Sequence, residues 1–422
     1  MREMKNSGIS WLGKIPYDWK VGKVKHFYHF ITGFTPDSKN ESFYDESGVP
    51  WVTISDMGGK FVTGTKNGIS SNYISIKNPT IIPSNSLLYS FKLSVGQVAR
   101  TIFDVYTNEA IASFLPSDNI SLDYLFYSSQ VCIIENANEN IYGAKLLNQD
   151  LINNATIIFP PLNEQQKIAS FLDRKCSEID EMIGLQEQII EELKAYKQSV
   201  ISEAVTKGLT PDAPMRDSGI EWIGQIPEHW KVRRIGSLFR LRDEKNYKPM
   251  DEVQLLSLYT GIGVFPHGEQ EERGNKAVTT EGYKIVRKND VVVNIILAWM
   301  GAIGVSNYDG VTSPAYDVYI PNSDAVPHYY HYVFRTKGIA AECYKYGRGI
   351  MMMRWRTYSS EFKQIQISYP PIAEQQAIAD YLDEKCADID SLIQTKQEKI
   401  DSLKEYKKSI IYEYVTGKKE VK

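Results

Sequence analysis

Cysteines and long apolar runs are both scarce in this chain. Its 422 residues include four cysteines and no Cys-x-x-Cys pair, which argues against a disulfide framework and a structural zinc site. We therefore expect a reducing compartment, the cytoplasm. The longest apolar run, residues 291–305, contains Asn294 and two glycines and is shorter than the roughly 18 to 20 residues that a membrane-spanning helix needs. The sequence thus predicts no membrane span, and no apolar secretory signal follows Met1.

A strong excess of one charge is also absent. The chain has 48 basic and 52 acidic residues, for a formal net charge of −4. This balance excludes a histone-like or polybasic protein, so any contact with nucleic acid must come from local patches. Apolar residues make up 42% of the chain, which is enough to bury cores, and the length predicts two or three domains.

The sequence contains an internal repeat. A segment that begins at Ser7 reads SGISWLGKIP and leads to Trp19, and a segment that begins at Ser218 reads SGIEWIGQIP and leads to Trp230. Farther along, PPLNEQQKIA and PPIAEQQAIA form a second matched pair. The stretches between the matched blocks share only a faint pattern, so the duplication kept a frame while the inserts diverged.

Each PPxxEQQ block predicts the start of a long helix. Asn163 is a suitable N-cap after the prolines, and we expect the first helix to run from Glu164 to about Val205 and to stop at Gly208. Apolar residues then recur at alternating steps of four and three, which is typical of a coiled-coil seam. The predicted seam residues are Leu172, Ile179, Ile183, Ile190 and Leu193 in the first helix and Leu382, Ile389, Ile393, Ile400 and Leu403 in the second.

These features together predict an α+β fold. It consists of two mixed α/β domains separated by an antiparallel pair of long coiled-coil helices, related by a pseudo-twofold internal repeat. Cys176 and Cys386 occupy equivalent positions in the helices and are predicted to be core residues without a bridge. The predicted division of the chain is residues 1–159 for the first globular domain, 160–208 for the first long helix, 209–369 for a linker and the second globular domain, and 370–422 for the second helix and a tail.

Local patterns predict the strands of the inserts. Runs rich in β-branched and aromatic residues, bounded by turn residues, indicate strands at 50–55, 85–90 and 98–102 in the first insert. The corresponding strands of the second insert are predicted at 289–294, 300–305 and 314–320.

Catalytic motifs are missing from the sequence. Residues 58–60 lack the leading glycine of a Walker A loop, and residues 261–263 lack the third glycine of a dinucleotide fingerprint. Residues 159–162 lack the amide and the aromatic ring of the Asp/Asn-Pro-Pro-Tyr loop of amino-methyltransferases. Two pairs of histidines three residues apart have no recognisable third metal ligand. We therefore expect no catalytic residue, metal site or cofactor in this chain.

Basic and aromatic residues in the inserts are candidates for contact with DNA, because arginine and lysine bind guanine or phosphate and asparagine binds adenine. Residues 346–356 read YGRGIMMMRWR, and the first insert has YGAKLLN from Tyr142 at the matching place. The predicted DNA-binding residues are Arg348, Arg354, Trp355 and Arg356 in the second insert and Lys145, Asn148, Lys92 and Arg100 in the first. The alternative, that these arginines are solvated surface charge and Trp355 is a core residue, stays open.

The chain closely resembles the DNA-specificity subunit of type I restriction-modification systems. The resemblance lies in the Trp-x-Gly-x-Ile-Pro-x-x-Trp opening, the Pro-Pro-x-x-Glu-Gln-Gln helix entry and the duplicated domain-plus-helix arrangement, and it covers nearly the entire chain. It implies that the inserts are target recognition domains, each reading one half of a split, asymmetric site in double-stranded DNA, and that the helices form a spacer. It also implies two methyltransferase subunits as partners, which carry S-adenosylmethionine and methylate adenine, and a translocating endonuclease subunit.

Two functions from other classes remain as alternatives. A purely structural coiled-coil adaptor would bind its partners without regard to salt or DNA sequence. The recognition part of a nuclease or methyltransferase would show activity dependent on S-adenosylmethionine or a metal in the isolated chain.

Overall fold

The computed structural model describes residues 2–92, 94–268, 279–349 and 355–421. The chain forms two compact units. Unit 1 comprises residues 1–186 and 398–422, and unit 2 comprises residues 187–397. Each unit therefore holds one insert together with parts of both long helices. Within the described ranges, no helix combines the length and the apolar character needed to cross a bilayer.

The insert of unit 1 is mainly β-structure with three short helices. Its strands are β1 (Met4–Asn6), β2 (Lys14–Pro16), β3 (Lys20–Lys23), β4 (Phe30–Thr32), β5 (Tyr44–Val52), β6 (Phe61–Val62), β7 (Asn67–Ile69), β8 (Leu87–Ser90), β9 (Val98–Thr101), β10 (Tyr106–Thr107), β11 (Ile111–Phe114), β12 (Asn138–Glu139), β13 (Lys145–Leu146) and β14 (Thr156–Phe159). The helices are α1 (Ser71–Lys77), α2 (Leu122–Cys132) and α3 (Gln149–Asn154), and the long helix α4 (Leu162–Lys207) follows.

A five-stranded sheet forms the centre of this insert. Its strand order is β4-β11-β8-β9-β6, with antiparallel pairing except between β6 and β9. Every residue of β8, β9 and β11 is buried. The strands predicted near 85–90 and 98–102 are confirmed. The strand predicted at 50–55 ends at Val52, because Thr53 and Asp56 form a capping box that opens a short 3-10 turn.

The insert of unit 2 has the same kind of architecture. Its strands are β15 (Met215–Asp217), β16 (Gln225–Pro227), β17 (Lys231–Arg234), β18 (Phe239–Leu241), β19 (Leu256–Tyr259), β20 (Gly263–Pro266), β21 (Lys284–Val286), β22 (Val291–Asn294), β23 (Ile303–Val305), β24 (Gly310–Thr312), β25 (Tyr316–Pro321) and β26 (Gln366–Tyr369). Its helices are α5 (Ile235–Leu238), α6 (Pro327–Val333), α7 (Lys337–Tyr346) and α8 (Ser359–Phe362), followed by α9 (Ile372–Val415). The central order β18-β25-β22-β23 matches β4-β11-β8-β9 of unit 1.

The two long helices begin slightly earlier than predicted. The carbonyl of Pro161 accepts hydrogen bonds from the backbone N–H groups of Glu164 and Gln165, so α4 starts at Leu162. Asn163 therefore lies in the first turn, and the prediction that it is the N-cap is wrong. Pro371 has the same role at the start of α9.

The helices pack antiparallel within each unit, as the seam predicts. In unit 1, Asp180 pairs with Lys407 at 2.6 Å. Phe171, earlier in α4, packs on Tyr414, later in α9, with ring centroids 4.4 Å apart and ring planes tilted by 36°. In unit 2, the equivalent ion pair joins Lys197 and Asp390 at 2.7 Å. The buried seam residues are Leu172, Ile179, Ile190, Leu382, Ile389, Ile400 and Leu403, while Ile183, Leu193 and Ile393 are half-buried. Cys176 and Cys386 are buried, free thiols, which confirms them as core residues.

The two duplicated sequence motifs meet at a junction in each unit. The indole Nε1 of Trp19 donates to Glu164 Oε2 at 2.8 Å, and Trp230 donates to Glu374 Oε2 at 2.9 Å. Both tryptophan rings are buried. Each glutamate belongs to the EQQ sequence at the start of a long helix. The opening motif of each repeat is therefore hydrogen-bonded to the helix entry of the same repeat.

The glutamine after each glutamate closes the junction. Gln165 donates to the carbonyl of Pro160 at 2.8 Å and accepts from the backbone N–H of Ser121 at 3.0 Å. Gln375 makes the same pair of bonds to Pro370 and Val326. The side-chain amide donates to the proline just before the helix and accepts from a residue of the insert, so each glutamine joins the insert to the first turn of its helix.

The junction tryptophans also contact the C-terminal end of the other helix. Gly417 has φ +69° and lies against Trp19, where a Cβ would collide with Pro16. Gly208 has φ +77° and lies against Trp230. These glycines end the helices as predicted.

Buried tyrosines bind free carbonyls of the same helix ends. Tyr124 donates to the carbonyl of Val415 at 3.0 Å, and Tyr329 donates to that of Val205 at 3.1 Å. Carbonyls in the last turn of a helix have no partner within the helix, so these bonds satisfy them without water.

We expect Trp19→Phe to lower the free energy of unfolding by about 2 kcal/mol, because the substitution removes a buried hydrogen bond to a carboxylate. Glu164→Gln keeps an acceptor oxygen for the indole but removes the charge that pairs with Arg2, so Arg2→Met is the control for the loss of that ion pair and should lose less than Trp19→Phe. Urea denaturation followed by circular dichroism measures all three variants. Equal midpoints for the wild type and Trp19→Phe would contradict this account of the junction.

Candidate nucleic-acid interface

Three chain segments of unit 2 converge on one surface. They are the turn between β22 and β23, the end of α7 and residues 355–358. Thr357 joins all three, since its N–H donates to the carbonyl of Ile295 at 2.8 Å and its hydroxyl donates to that of Cys343 at 2.9 Å. Arg348 and Arg356 exchange two backbone hydrogen bonds of 2.9 Å, which closes the loop at its base. We call this surface the unit 2 loop surface.

Aromatic rings form the centre of the unit 2 loop surface. Tyr344 contacts two tryptophans: it stacks on Trp355 with ring centroids 5.2 Å apart, and its ring lies 6.1 Å from that of Trp299 in a tilted arrangement. The indole of Trp355 donates to the carbonyl of Tyr344 at 3.0 Å. Gly347 is required here, because a Cβ would collide with the ring of Trp355. Trp299, Tyr344 and Trp355 each keep part of their surface open to solvent.

Exposed apolar and cationic groups surround these rings. Leu297, Met300 and Tyr358 are exposed, with Met300 at 52%. The side chain of Arg348 is 71% exposed and forms an ion pair with the mostly buried Glu361. Aromatic faces can stack on bases, and arginines can bind phosphates or guanine edges. The surface therefore offers both kinds of contact that DNA requires.

The structure brings Arg348, Trp355 and Arg356 together, while Arg354 lies outside the described residues. Trp355 is a half-buried packing residue whose N–H is already bonded, so its remaining contact group is its ring. Sequence reasoning missed Tyr344 and Met300. Met300 precedes Gly301, and both Gly301 and the corresponding Gly96 have positive φ, a pattern that predicts a turn and does not mark the preceding residue as a contact.

The predicted residues of the first insert are divided among three places. Lys145 lies on β13 and forms a 2.7 Å ion pair with Glu139 across the β12–β13 hairpin. Asn148 caps α3, its side-chain oxygen accepting from the N–H of Leu151 at 2.8 Å. Lys92 is exposed in the turn that follows β8.

Arg100 points into the insert. It is buried on β9, forms an ion pair with Asp123 and donates to the carbonyl of Asn85 at 2.9 Å. Burial lowers the pKa of Arg100 below its ordinary value. The structure thus separates Arg100 from the exposed Lys92 and Lys145, and its contact with DNA stays a prediction.

One aspartate of each long helix holds the insert in place. Asp173 accepts from the hydroxyl of Tyr127 at 2.7 Å and pairs with Lys60. In unit 2, Asp383 accepts from Tyr332 at 2.5 Å and from His328 at 2.6 Å. Asp173 and Asp383 thus attach each insert to the side of its long helix, at a second place after the junction at the helix start.

The two histidines three residues apart in unit 2, His328 and His331, belong to a network of hydrogen bonds with Asp383 and Arg335. Burial, with nearby Arg335 and His328, lowers the pKa of His331 to about 3, so its imidazole is neutral and accepts from Arg335 at 2.9 Å. Among the residues that the structure describes, no cluster of three or more metal-ligating side chains is found.

Comparison with known proteins identifies the family. Residues 16–195 and 227–405 match the family described as "Type I restriction modification DNA specificity domain". The chain is 26% identical over 435 residues to the "Putative type I restriction enzyme MjaX specificity subunit" of Methanocaldococcus jannaschii, a match that covers 97% of this chain and 96% of that protein. It is 25% identical over 253 residues to the MjaIX specificity subunit of the same organism, covering 57% of this chain and about half, 56%, of that protein.

A solved structure shares the fold. It is described as "Structural basis underlying complex assembly and conformational transition of the type I R-M system", and one of its chains superposes with a TM-score of 0.69 at 15% identity. The superposition covers 95% of this chain and 98% of that chain. Because the family match extends over both copies of the repeat, the chain belongs to the type I restriction modification DNA specificity family and is a specificity subunit of a type I restriction-modification system.

Proposed function

We propose that this subunit reads DNA without doing chemistry on it, and that each insert recognises one half of a split, asymmetric site in double-stranded DNA. The observation that carries the proposal is the unit 2 loop surface, where stacked aromatic rings lie beside the exposed Arg348. Such a surface suits base-edge and phosphate contacts. The inserts are the parts of the repeat that diverged, as two readers of different sequences would.

We propose that the long helices set the spacing between the two half-sites. Two short recognition events that are joined by a stiff spacer act as one, with a fixed distance between them. The buried seam and the ion pairs Asp180–Lys407 and Lys197–Asp390 support a helix pair of fixed register.

The proposed partners are two methyltransferase subunits, which supply S-adenosylmethionine and methylate adenine, and translocating endonuclease subunits, all in the cytoplasm. The long helices offer places for attachment, because they carry exposed apolar side chains away from the seam. They include Met182, Leu185 and Tyr406 in unit 1 and Tyr196, Tyr381 and Leu392 in unit 2. The chain itself would hold no cofactor.

The first experiment is methylation of a randomised DNA library by the subunit co-expressed with its methyltransferase. Modified adenines and their flanking bases give the recognised motif. A split, asymmetric motif supports the proposal, and exchange of residues 234–369 for another insert should change one half alone. Modification without sequence preference would favour a structural adaptor, and methylation by the isolated chain would favour an enzyme.

We expect Arg348→Met to reduce sequence-specific binding by about 1 to 3 kcal/mol and to relax the motif in the second half-site, because a base or phosphate contact is lost. Arg287→Met is the matched control, since Arg287 is also exposed and also paired with a glutamate of unit 2, Glu244. The library experiment and filter-binding titrations at fixed salt measure the effect. The same loss in both variants would indicate a general charge effect and count against this residue as a reader.

Removal of one heptad from each helix should shorten the preferred spacing between half-sites by about three base pairs. The deletion of residues 187–193 and 394–400 lies between the two interhelical ion pairs and preserves the seam. It removes about 10 Å at 1.5 Å per residue, and DNA rises about 3.4 Å per base pair. The library experiment reads the spacing, and the unchanged half-sites act as an internal control for folding. An unaltered spacing would contradict the role of the helices as a spacer.

A further inference from the structure

We infer that the tip of the β12–β13 hairpin in unit 1 recognises a thymine methyl group in the major groove of the first half-site. The inference rests on the proposed function and names the residues and the chemical group through which one half-site is read. The hairpin tip consists of residues 140–144, and its two large apolar side chains are Ile141 and Tyr142.

The hairpin tip exposes apolar surface that a soluble fold would otherwise cover. Ile141 is 90% exposed and Tyr142 is 87% exposed. Burial of either side chain would be favourable, and exposed apolar groups in a cluster indicate a binding surface. Both residues lie in the connection between β12 and β13, two-residue strands whose side chains are also exposed, and another molecule that covers the hairpin would bury them.

The turn that presents these side chains is preorganised. The side-chain oxygen of Asn140 accepts from the N–H groups of Tyr142 and Ala144, each at 2.9 Å. Its backbone N–H donates to the carbonyl of Ala144 at 3.0 Å, and its carbonyl accepts from Gly143 at 2.9 Å. Gly143 has φ +76°, a conformation that a side chain disfavours. Binding would therefore require little ordering of the backbone.

The charges beside the tip cancel each other. Lys145 and Glu139 are paired at 2.7 Å directly below it, so the tip itself has no free charge with which to hold a phosphate. Ile141 cannot donate or accept a hydrogen bond, and it can discriminate a base only through an apolar contact. In the major groove, the apolar group on a base edge is the C5-methyl of thymine.

The position and shape of the hairpin favour DNA over a protein as the partner. The major groove of B-DNA admits a two-stranded β-ribbon. Along the chain, the hairpin is followed by α3 and β14, and residues 355–358 of the unit 2 loop surface are followed by α8 and β26. Strand β14 pairs with β3, and β26 pairs with β17, the strand that opens the second insert. The hairpin thus occupies the place that carries Arg348 and Trp355 in the other repeat. The two inserts would read their half-sites with different chemistry from the same place.

The test uses the full-length subunit in complex with its methyltransferase and a duplex that carries the recognised motif. Each thymine of the first half-site, on either strand, is replaced in turn by deoxyuracil, which lacks the methyl group. For the wild type we expect at least one replacement to weaken binding about fourfold, the value of one buried methyl group. The Ile141→Ala/Tyr142→Ala double variant should bind thymine and uracil duplexes equally.

Ile76→Ala is the matched control, because Ile76 is 59% exposed on α1 of the same unit and lies outside the hairpin. It should keep the full preference for thymine. Thermal unfolding should be the same for all variants, since the substituted side chains are exposed.

Three outcomes would overturn the inference. In the first, the wild type binds uracil and thymine duplexes equally at every position. In the second, the double variant keeps the preference for thymine. In the third, the double variant fails to assemble with the methyltransferase in the absence of DNA. The last would assign the hairpin tip to a protein partner. If the wild type instead bound all DNA sequences equally, the proposed function would be refuted. Failure of the inference and failure of the proposed function are therefore distinguishable.

Discussion

A buried tryptophan at each junction between insert and helix is the interaction on which the rest of the structure depends. In unit 1, the indole of Trp19 donates to Glu164 at the start of α4, and its ring contacts Gly417 at the end of α9. One side chain therefore connects three separate parts of the chain. The bond is between a neutral donor and a partly buried carboxylate, which makes it stronger than an ordinary hydrogen bond. The same side chain therefore fixes the start of one long helix and the end of its antiparallel neighbour.

The junction also explains why a duplicated sequence can tolerate differences. Glu164 is paired with Arg2, whereas Glu374 is paired with His229. The hydrogen bond to Glu164 and the neighbouring Asp18 raise the pKa of Arg2 further above its ordinary value. The partner of the glutamate varies between the repeats, with half-buried Arg2 in one and exposed His229 in the other, and the buried tryptophan does not. The geometry is set by the groups that water does not reach.

The sequence was sufficient to predict the features that depend on local pattern. The coiled-coil seam, the glycine helix ends and most central strands follow from periodicity and backbone preference. Asn163 was predicted wrongly as an N-cap because the backbone hydrogen bonds of the helix already begin at the carbonyl of Pro161, which places Asn163 inside the first turn. Arg100 and Lys92 looked alike in the sequence, yet one lies on a strand buried on both faces and the other in a turn. The sheet register decides that difference, and no spacing rule supplies it.

The candidate site was harder to predict because it is assembled from segments distant in the chain. Met300, Tyr344 and Trp355 lie on segments that Thr357 joins through its two hydrogen bonds, and the indole of Trp355 adds a bond to the carbonyl of Tyr344. The large buried cluster of each unit consists mostly of interior strand and helix residues of the insert, to which the long helices add their seam residues, and the exposed loop residues are not members of it. Substitutions at distant sites with no shared partners have nearly additive effects on stability. Loop residues can therefore change the contacts offered to DNA without loss of the frame, and this separation allows one duplicated scaffold to carry two different readers.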